Sequence, residues 1–306
     1  MFTLRDILLG VALPALISAA IVVIGCVVAW SRARRAGDAS AAEALAGNGS
    51  MRDDCCGPLA VGVGFAAGFA ALLGLPPVPP VDSTDWLFGL SILLTVSGIV
   101  DSWWRLPSWG RWINFLFDAA LAVALLAWPI VRNSENPTYE IGILSAVVVA
   151  LVVSWIGIER IAGTERGWPA VEVCCATGLV AITLMTSGSK KLGQVGGLLA
   201  AAIAPFAVVA LVSRKNALGR GTIPLVMLLV AGLLLCGKSF ASLTTLNVAL
   251  LWTGLVASQV RRLPPVNRLS EWKQCAIGLA AVLVFAGTAA ALAAIEFARS
   301  MSDYGY

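Results

Sequence analysis

The sequence predicts an all-α bundle of about ten membrane-spanning helices with both termini outside the cell. Three observations predict it: 59% of the 306 residues are apolar, only 12% are charged, and the mean hydropathy is +0.88. A typical soluble chain has about 25% charged residues, so this chain has too few polar side chains for an aqueous surface. We therefore expect lipid to surround a single integral membrane domain over residues 1–306.

Ten apolar runs have the length of about 17–25 residues that a membrane-crossing helix needs. They are 7–30, 58–75, 86–104, 112–131, 141–158, 168–187, 191–212, 222–240, 242–260 and 272–297. The second run is short and carries Gly62, Gly64 and Gly68, so a re-entrant segment is the alternative to a full crossing there. The long apolar stretch 222–260 contains one charge, Lys238, which predicts a hairpin between two spans.

Positively charged residues test this count, because cytoplasmic loops carry an excess of Lys and Arg. The loops that follow the odd-numbered spans contain 15 of the 21 Lys and Arg residues, and the remaining loops and termini contain 6. The alternation holds at every loop, which supports ten spans and external termini. The longest of these loops, 31–57, is rich in Ala, Gly, Ser and charge, so we expect it to be a flexible cytoplasmic loop.

Tryptophan gives a second test, because its ring prefers the headgroup layer of the bilayer. Ten of the eleven Trp residues lie within a few residues of a predicted span boundary, and only Trp252 falls inside a span. Within the spans, Pro14 and Pro205 can kink their helices, and Gly64 and Gly68 have the spacing that lets two helices approach closely. Packing and a broken-helix transport path are both open interpretations of these residues.

Carboxylates inside the predicted spans are the main candidates for a function, because burying an ionisable group in hydrocarbon is costly. Asp101, Asp118 and Glu172 all fall in the cytoplasmic leaflet, with Asp118 the deepest. They predict either a polar cavity that opens inward or salt bridges at the membrane interface. Trp252 is a further candidate for the cavity, since the middle of the spans contains few other polar groups.

A turn between the sixth and seventh spans is a candidate anion site. Ser189, Lys190 and Lys191 open the seventh span on the outer face, and a helix N-terminus offers free N–H groups to an anion. The stretch lacks the order of residues in a phosphate-binding P-loop. An ordinary helix cap with two solvated lysines is the alternative.

The same turn carries a resemblance to a known group. The stretch 186–194, TSGSKKLGQ, is followed by a helix rich in Gly and Ala, and it resembles many-pass membrane proteins of unknown function from planctomycete-type bacteria. The resemblance covers about a quarter of the chain. It implies a membrane location but no activity and no functional residues.

Metal and cofactor chemistry has little support in the sequence. The chain has no histidine, the commonest transition-metal ligand, and none of its seven cysteines forms a Cys-x-x-Cys pair. Neither a nucleotide motif nor a basic stripe for nucleic acid is present. We therefore expect no metal, no cofactor and no nucleic-acid partner.

Three functions remain open. The sequence favours a transporter or permease-like carrier of a small solute, because about ten spans come without any soluble domain. A non-catalytic structural or assembly component of a membrane complex is the alternative, and an integral membrane enzyme ranks third because no catalytic motif is present. The expected location is the cytoplasmic membrane, and the expected partners are lipid, a small solute and other membrane proteins.

Overall fold

The protein is all-helical in the part of the chain that its structure, a computed structural model, describes. That part comprises residues 7–35, 55–78, 80, 82–104, 107–132, 137–162, 169–213, 218 and 221–303. Eight of the helices are long and apolar enough to cross a membrane. The predicted all-α fold class is confirmed for these residues, with eight candidate membrane-spanning helices; the ten spans and the external termini stay predictions.

Ten helices of twelve residues or more follow one another along the described chain. They are α1 (Leu13–Arg35), α2 (Cys56–Leu73), α3 (Ser83–Trp104), α4 (Ser108–Arg132), α5 (Pro137–Ala162), α6 (Pro169–Thr186), α7 (Lys190–Ser213), α8 (Thr222–Phe240), α9 (Thr245–Val256) and α10 (Glu271–Asp303). Each coincides with one predicted run. The eight that meet the length and hydropathy of a span are α1–α4, α6–α8 and α10. In the described residues, α5 and α9 contribute the shorter apolar stretches Val147–Gly157 and Thr245–Val256.

Two short elements interrupt this regular pattern between α9 and α10. Residues Ala257–Arg262 form a 3₁₀-helix that continues directly from α9, and Pro264–Asn267 form a single helical turn. The sequence predicted a span over 242–260, and within it α9 covers Thr245–Val256 before the 3₁₀-helix continues to Arg262. Thr244 caps α9 by accepting a hydrogen bond from the Asn247 N–H (3.2 Å), so the helix starts later.

The bundle is built around α8. This helix contacts α2 to α7 and also α9, and 72% of it is buried. By contrast, only 28% of the apolar stretch of α1 or of α10 is buried, and both helices lie at the periphery. The outward residues of α1 and α10 are nevertheless apolar, among them Leu16, Val23, Ile24 and Val284. A surface of this kind is stable against lipid rather than water.

Contacts between helix ends show that neighbouring helices run in opposite directions. The end of α3 meets the start of α4, where Asn114 Nδ2 donates to Ser97 Oγ (2.7 Å). The end of α5 meets the start of α4 through Trp155, which lies edge-on to Trp112 with ring centroids 5.0 Å apart. We call the end of the bundle at which Arg261, Arg268 and Lys273 lie the basic end. Exposed tryptophans gather there, as an interfacial position requires: Trp103, Trp104, Trp109 and Trp272.

Glycines permit the closest helix approaches. A Cβ on Gly98 of α3 would lie 2.8 Å from the carbonyl oxygen of Gly221, at the start of α8, so the two backbones touch. The predicted close packing at Gly64 and Gly68 is present, because both residues lie against Pro14 of α1. A larger residue at any of these positions would separate the helices.

The two prolines expected to kink helices behave differently from each other. Pro14 follows a π-helical turn, Leu8–Ala12, which accommodates the missing N–H of proline. Pro205 lies inside α7, which continues without a break from Lys190 to Ser213. At the edges of the predicted loop 31–57, α1 extends to Arg35 and α2 begins at Cys56; residues 36–54 lie outside the described part of the chain.

Candidate functional site

A buried ion pair joins three elements at the basic end. Arg261, in the 3₁₀-helix after α9, donates from Nη2 to Glu172 Oε1 on the first turn of α6. Only 6% of the Arg261 side chain and 2% of the Glu172 side chain are exposed. Gly278 of α10 lies against both side chains, and a Cβ there would overlap the Glu172 carboxylate. The absence of a side chain at Gly278 therefore creates the space that the pair occupies.

The pair is only partly satisfied. Glu172 Oε2 and Arg261 Nε are both buried and have no hydrogen-bond partner in the described part of the chain. These atoms are an acceptor and a donor, the second arm of the bidentate fork that arginine and carboxylate form in their strongest pairs. The site can therefore close further, or it can accept a small molecule that offers one donor and one acceptor.

A second polar cluster connects α3 and α4 at the same end. Ser97 Oγ donates to Asp118 Oδ2 (2.5 Å), and Asn114 Nδ2 donates in turn to Ser97 Oγ. Asp118 is 3% exposed, and Asp101, one turn from Ser97 on α3, is also buried. The sequence predicted this neighbourhood of acids but did not single out Ser97 or Asn114.

Trp252 makes a contact within the bundle. Its Nε1 donates to Ser154 Oγ on α5 (3.1 Å), and the Ser154 carbonyl oxygen accepts from Gln259 Nε2 (3.3 Å). Gln259 lies over Gly157, where a Cβ would overlap its amide. Ser154 thus links α5 both to α9 and to the 3₁₀-helix.

Two side chains of the candidate anion turn, Ser189 and Lys191, contact other residues of this chain. Ser189 Oγ accepts from the Leu192 N–H (3.2 Å), which is the geometry of a helix N-cap. Lys191 Nζ lies 3.1 Å from Asp82 Oδ2 and 3.5 Å from Asp85 Oδ1, at the start of α3. Lys190 is exposed. An anion at this turn would compete with two carboxylates for Lys191, so the contacts favour the helix-cap interpretation.

The four candidate cavity residues thus divide into three separate groups. Asp101 and Asp118 share one cluster, Glu172 belongs to the ion pair, and Trp252 contacts α5. A small cavity lies between α6, α8 and α9, and its lining is apolar except for Thr222, whose buried Oγ1 has no partner among the described residues. It does not include Asp118. The inward-opening polar cavity that the sequence suggested stays a prediction.

The part of the chain that the structure describes contains no candidate metal site. No three His, Cys, Asp or Glu side chains there are arranged to hold a metal ion. Cys236 and Cys275 are buried, and Cys174 and Cys175 are half-buried. These thiols pack as small apolar side chains.

Arg261, Gln259 and Gly278 were missed as site residues by the sequence analysis. Arg261 was assigned to a cytoplasmic loop because it follows an apolar run, and nothing in the sequence pairs it with Glu172, 89 positions away. Glycine at 278 gives no sign of its role because the chain contains 30 glycines.

No protein-family model, no curated protein and no solved structure matches this chain. The resemblance at residues 186–194 to planctomycete-type membrane proteins therefore stays a prediction. The functional argument has to begin from the buried polar groups at the basic end.

Proposed function

We propose that the chain is a ten-span protein of the cytoplasmic membrane, with both termini outside, that carries a small solute through its helical bundle. The basic end faces the cytoplasm in this proposal. The solute's path reaches the cytoplasm through the polar layer that contains Asp118 and Glu172. Neither a catalytic step nor a cofactor is needed.

The observation that carries the proposal is the burial of ionisable groups at one end of the bundle. Asp101, Asp118, Glu172 and Arg261 are all at least nine-tenths buried on elements of an apolar bundle. An ionisable group inside a spanning helix carries an insertion cost, which reaches about 2.5–3.5 kcal/mol at the helix centre, so such groups usually mark a solute or ion path. Pairing lowers this cost for Glu172 and Arg261, but it leaves one polar atom of each without a partner.

Solute flux into liposomes tests the proposal. The full-length protein is reconstituted, and the vesicles are shrunk with glycerol, urea or sodium acetate while light scattering records how fast they swell again. We expect faster swelling than in protein-free vesicles for at least one solute. Asp118→Asn and Glu172→Gln should slow it, whereas Glu296→Gln, an exposed acid on α10, should not. Swelling at the protein-free rate with all three solutes would contradict the carrier.

A specific observation also favours a second function, a packed scaffold in a membrane complex. The described bundle is closed around α8, and the cavity between α6, α8 and α9 is small and apolar. A scaffold needs no path, so its buried polar groups would only join helices. In native electrophoresis of detergent extracts, a scaffold should migrate as a discrete complex larger than the purified chain. A carrier needs no such complex.

The orientation is tested separately. The proposal places Arg268 and Lys273 in the cytoplasm because the loops with most Lys and Arg remain inside. Single cysteines introduced at these two exposed positions should react with a membrane-impermeant maleimide in inside-out vesicles and stay protected in intact cells. Labelling in intact cells would mean that the basic end faces the outside of the cell.

A further inference from the structure

The span that contains α9 changes its winding before it reaches the basic end. The 12 residues of α9 extend for about 18 Å, well short of the roughly 30 Å of a hydrocarbon core. The six residues of the following 3₁₀-helix add about 12 Å. We call this segment, Ala257–Arg262, the strap. 3₁₀ turns are frequent at helix C-termini and as connectors, and this one ends at Leu263, where the backbone becomes extended.

Polar side chains hold the strap to two helices. Gln259 Nε2 donates to the Ser154 carbonyl oxygen of α5 (3.3 Å), and Arg261 pairs with Glu172 of α6. The strap is thus attached to both α5 and α6. These two attachments are one hydrogen bond and one ion pair, whereas the first residue of the strap, Ala257, is buried in the hydrophobic core.

Two glycines, which we call the glycine seats, leave the space that the Gln259 and Arg261 side chains occupy. Gly157 of α5 lies under the Gln259 amide, and Gly278 of α10 lies under the Arg261–Glu172 pair. A Cβ on either glycine would overlap the side chain above it. By comparison, a Cβ on Gly142 of α5 or on Gly287 of α10 would meet nothing within 4 Å. Each helix therefore provides one glycine that seats the strap and one that does not.

We propose that the strap is a gate that closes the basic end between α5, α6 and α10 and leaves its glycine seats when that end opens. The inference rests on the proposed carrier function, because a carrier must open this end to the cytoplasm. Polar attachments suit a gate, since water at the end of the bundle can replace the partners of Gln259 and Arg261 as they separate. Buried apolar contacts would have no such replacement.

Two native cysteines report on the gate. Cys275 is 5% exposed on α10, one turn before Gly278 and therefore close to the strap. Cys236 is 1% exposed near the end of α8 that is remote from the strap, and it serves as the control for general loosening. The other five cysteines are replaced by serine in the full-length chain. The reagent is N-ethylmaleimide, and peptide mass spectrometry gives the labelling rate of each thiol in reconstituted protein.

An unseated strap should expose Cys275. We expect Gly278→Ala and Arg261→Gln each to raise its labelling rate by about tenfold or more, since loss of a buried partner shifts such an equilibrium strongly. Cys236 should keep its slow rate in both variants. The matched variant Gly287→Ala should leave both rates unchanged. The reversed pair, Glu172→Arg with Arg261→Glu, should label Cys275 more slowly than Arg261→Gln.

Two labelling results would overturn the gate. One is equal labelling of Cys275 in Gly278→Ala and Gly287→Ala; the other is a rise at Cys236 in step with Cys275, which means that the whole bundle loosens. Labelling involves no solute, so the two proposals fail separately. If Cys275 is labelled fast in Gly278→Ala but no vesicles swell, the gate is supported and the carrier function is contradicted. If the vesicles swell with a solute and neither Gly278→Ala nor Arg261→Gln changes the rate, the carrier function is supported and the gate is contradicted.

Discussion

Breaking the buried ion pair should destabilise the bundle more than removing it entirely. The perturbation is a double-mutant cycle in which Glu172→Leu and Arg261→Met are made singly and together. Each single variant leaves one charge without its partner, at a position where 2% or 6% of the side chain is exposed. The double variant leaves two apolar side chains of similar size, so no uncompensated charge remains.

The magnitude follows from the burial. Removing one member of a buried pair typically costs about 3–5 kcal/mol, whereas replacing both by apolar residues is close to neutral. We therefore expect a coupling free energy of at least about 3 kcal/mol between Glu172 and Arg261. The pair of Lys191 with Asp82 is the matched control, because its side chains are far more exposed, 38% for Lys191 and 65% for Asp82. Lys191→Met should cost less than about 1 kcal/mol.

The assay is unfolding of the full-length protein in mixed micelles by increasing SDS, followed by the fluorescence of its 11 Trp residues. The free energy of unfolding of each variant is compared at one SDS fraction. If the double variant loses as much stability as the two single variants added together, the side chains are not coupled. A loss below about 1 kcal/mol in both single variants would mean that the pair is hydrated, as an exposed pair is.

Three further predictions concern other contacts, and each is read from the same unfolding curves. Gly221→Ala should lower the free energy of unfolding by about 2 kcal/mol or more, since its Cβ would overlap the backbone of α3. Gly89→Ala on α3 is the control: its Cβ meets no atom within 4 Å, so the free energy of unfolding should not change. Equal effects of the two substitutions would refute the close approach of α3 and α8. Ser97→Ala removes the donor to the buried Asp118 carboxylate and should cost about 1–3 kcal/mol; no loss would mean that water replaces it. Ser189→Ala should cost about 1 kcal/mol through its lost cap, and inorganic phosphate should not alter the stability of the native protein; stabilisation by phosphate would favour the anion site.

Most of the fold follows from the sequence because hydropathy and length carry the information about spans. Every helix of twelve residues or more in the described chain coincides with a predicted run, and Lys238 lies in the last turn of α8, before a short turn to α9. The change of winding after α9 was not predicted. Residues Ala257–Arg262 are less apolar than the residues before them, and the contacts of Gln259 and Arg261 with α5 and α6 follow from no local pattern.

The candidate site was predictable only in part, for a similar reason. Charge inside an apolar run marks Asp118 and Glu172 directly, and both are buried at the basic end. Their partners depend on which helices are neighbours. Ser97 and Asn114 are ordinary small polar residues until α3 and α4 come together, and Arg261 becomes a buried residue only because Gly278 leaves room for it.

Asn247 is the position where stability and function should separate most clearly. It is buried on the first turn of α9, remote from the basic end, and neither its Oδ1 nor its Nδ2 has a partner in the described part of the chain. An unsatisfied buried amide costs about 1–3 kcal/mol, so Asn247→Leu, which keeps the branching at Cγ and removes both polar atoms, should raise the free energy of unfolding by about 1 kcal/mol.

A residue kept at such a cost is expected where a solute passes, since functional sites often retain unfavourable groups. With Trp252, Gln259 and Arg261, Asn247 extends a series of polar side chains along α9 and the strap. Asn247→Leu should therefore slow vesicle swelling while it stabilises the protein. If the variant is instead less stable, Asn247 is satisfied by water and is a structural residue. If it is more stable and swelling is unchanged, α9 does not line the path, and the solute must pass nearer to Asp118.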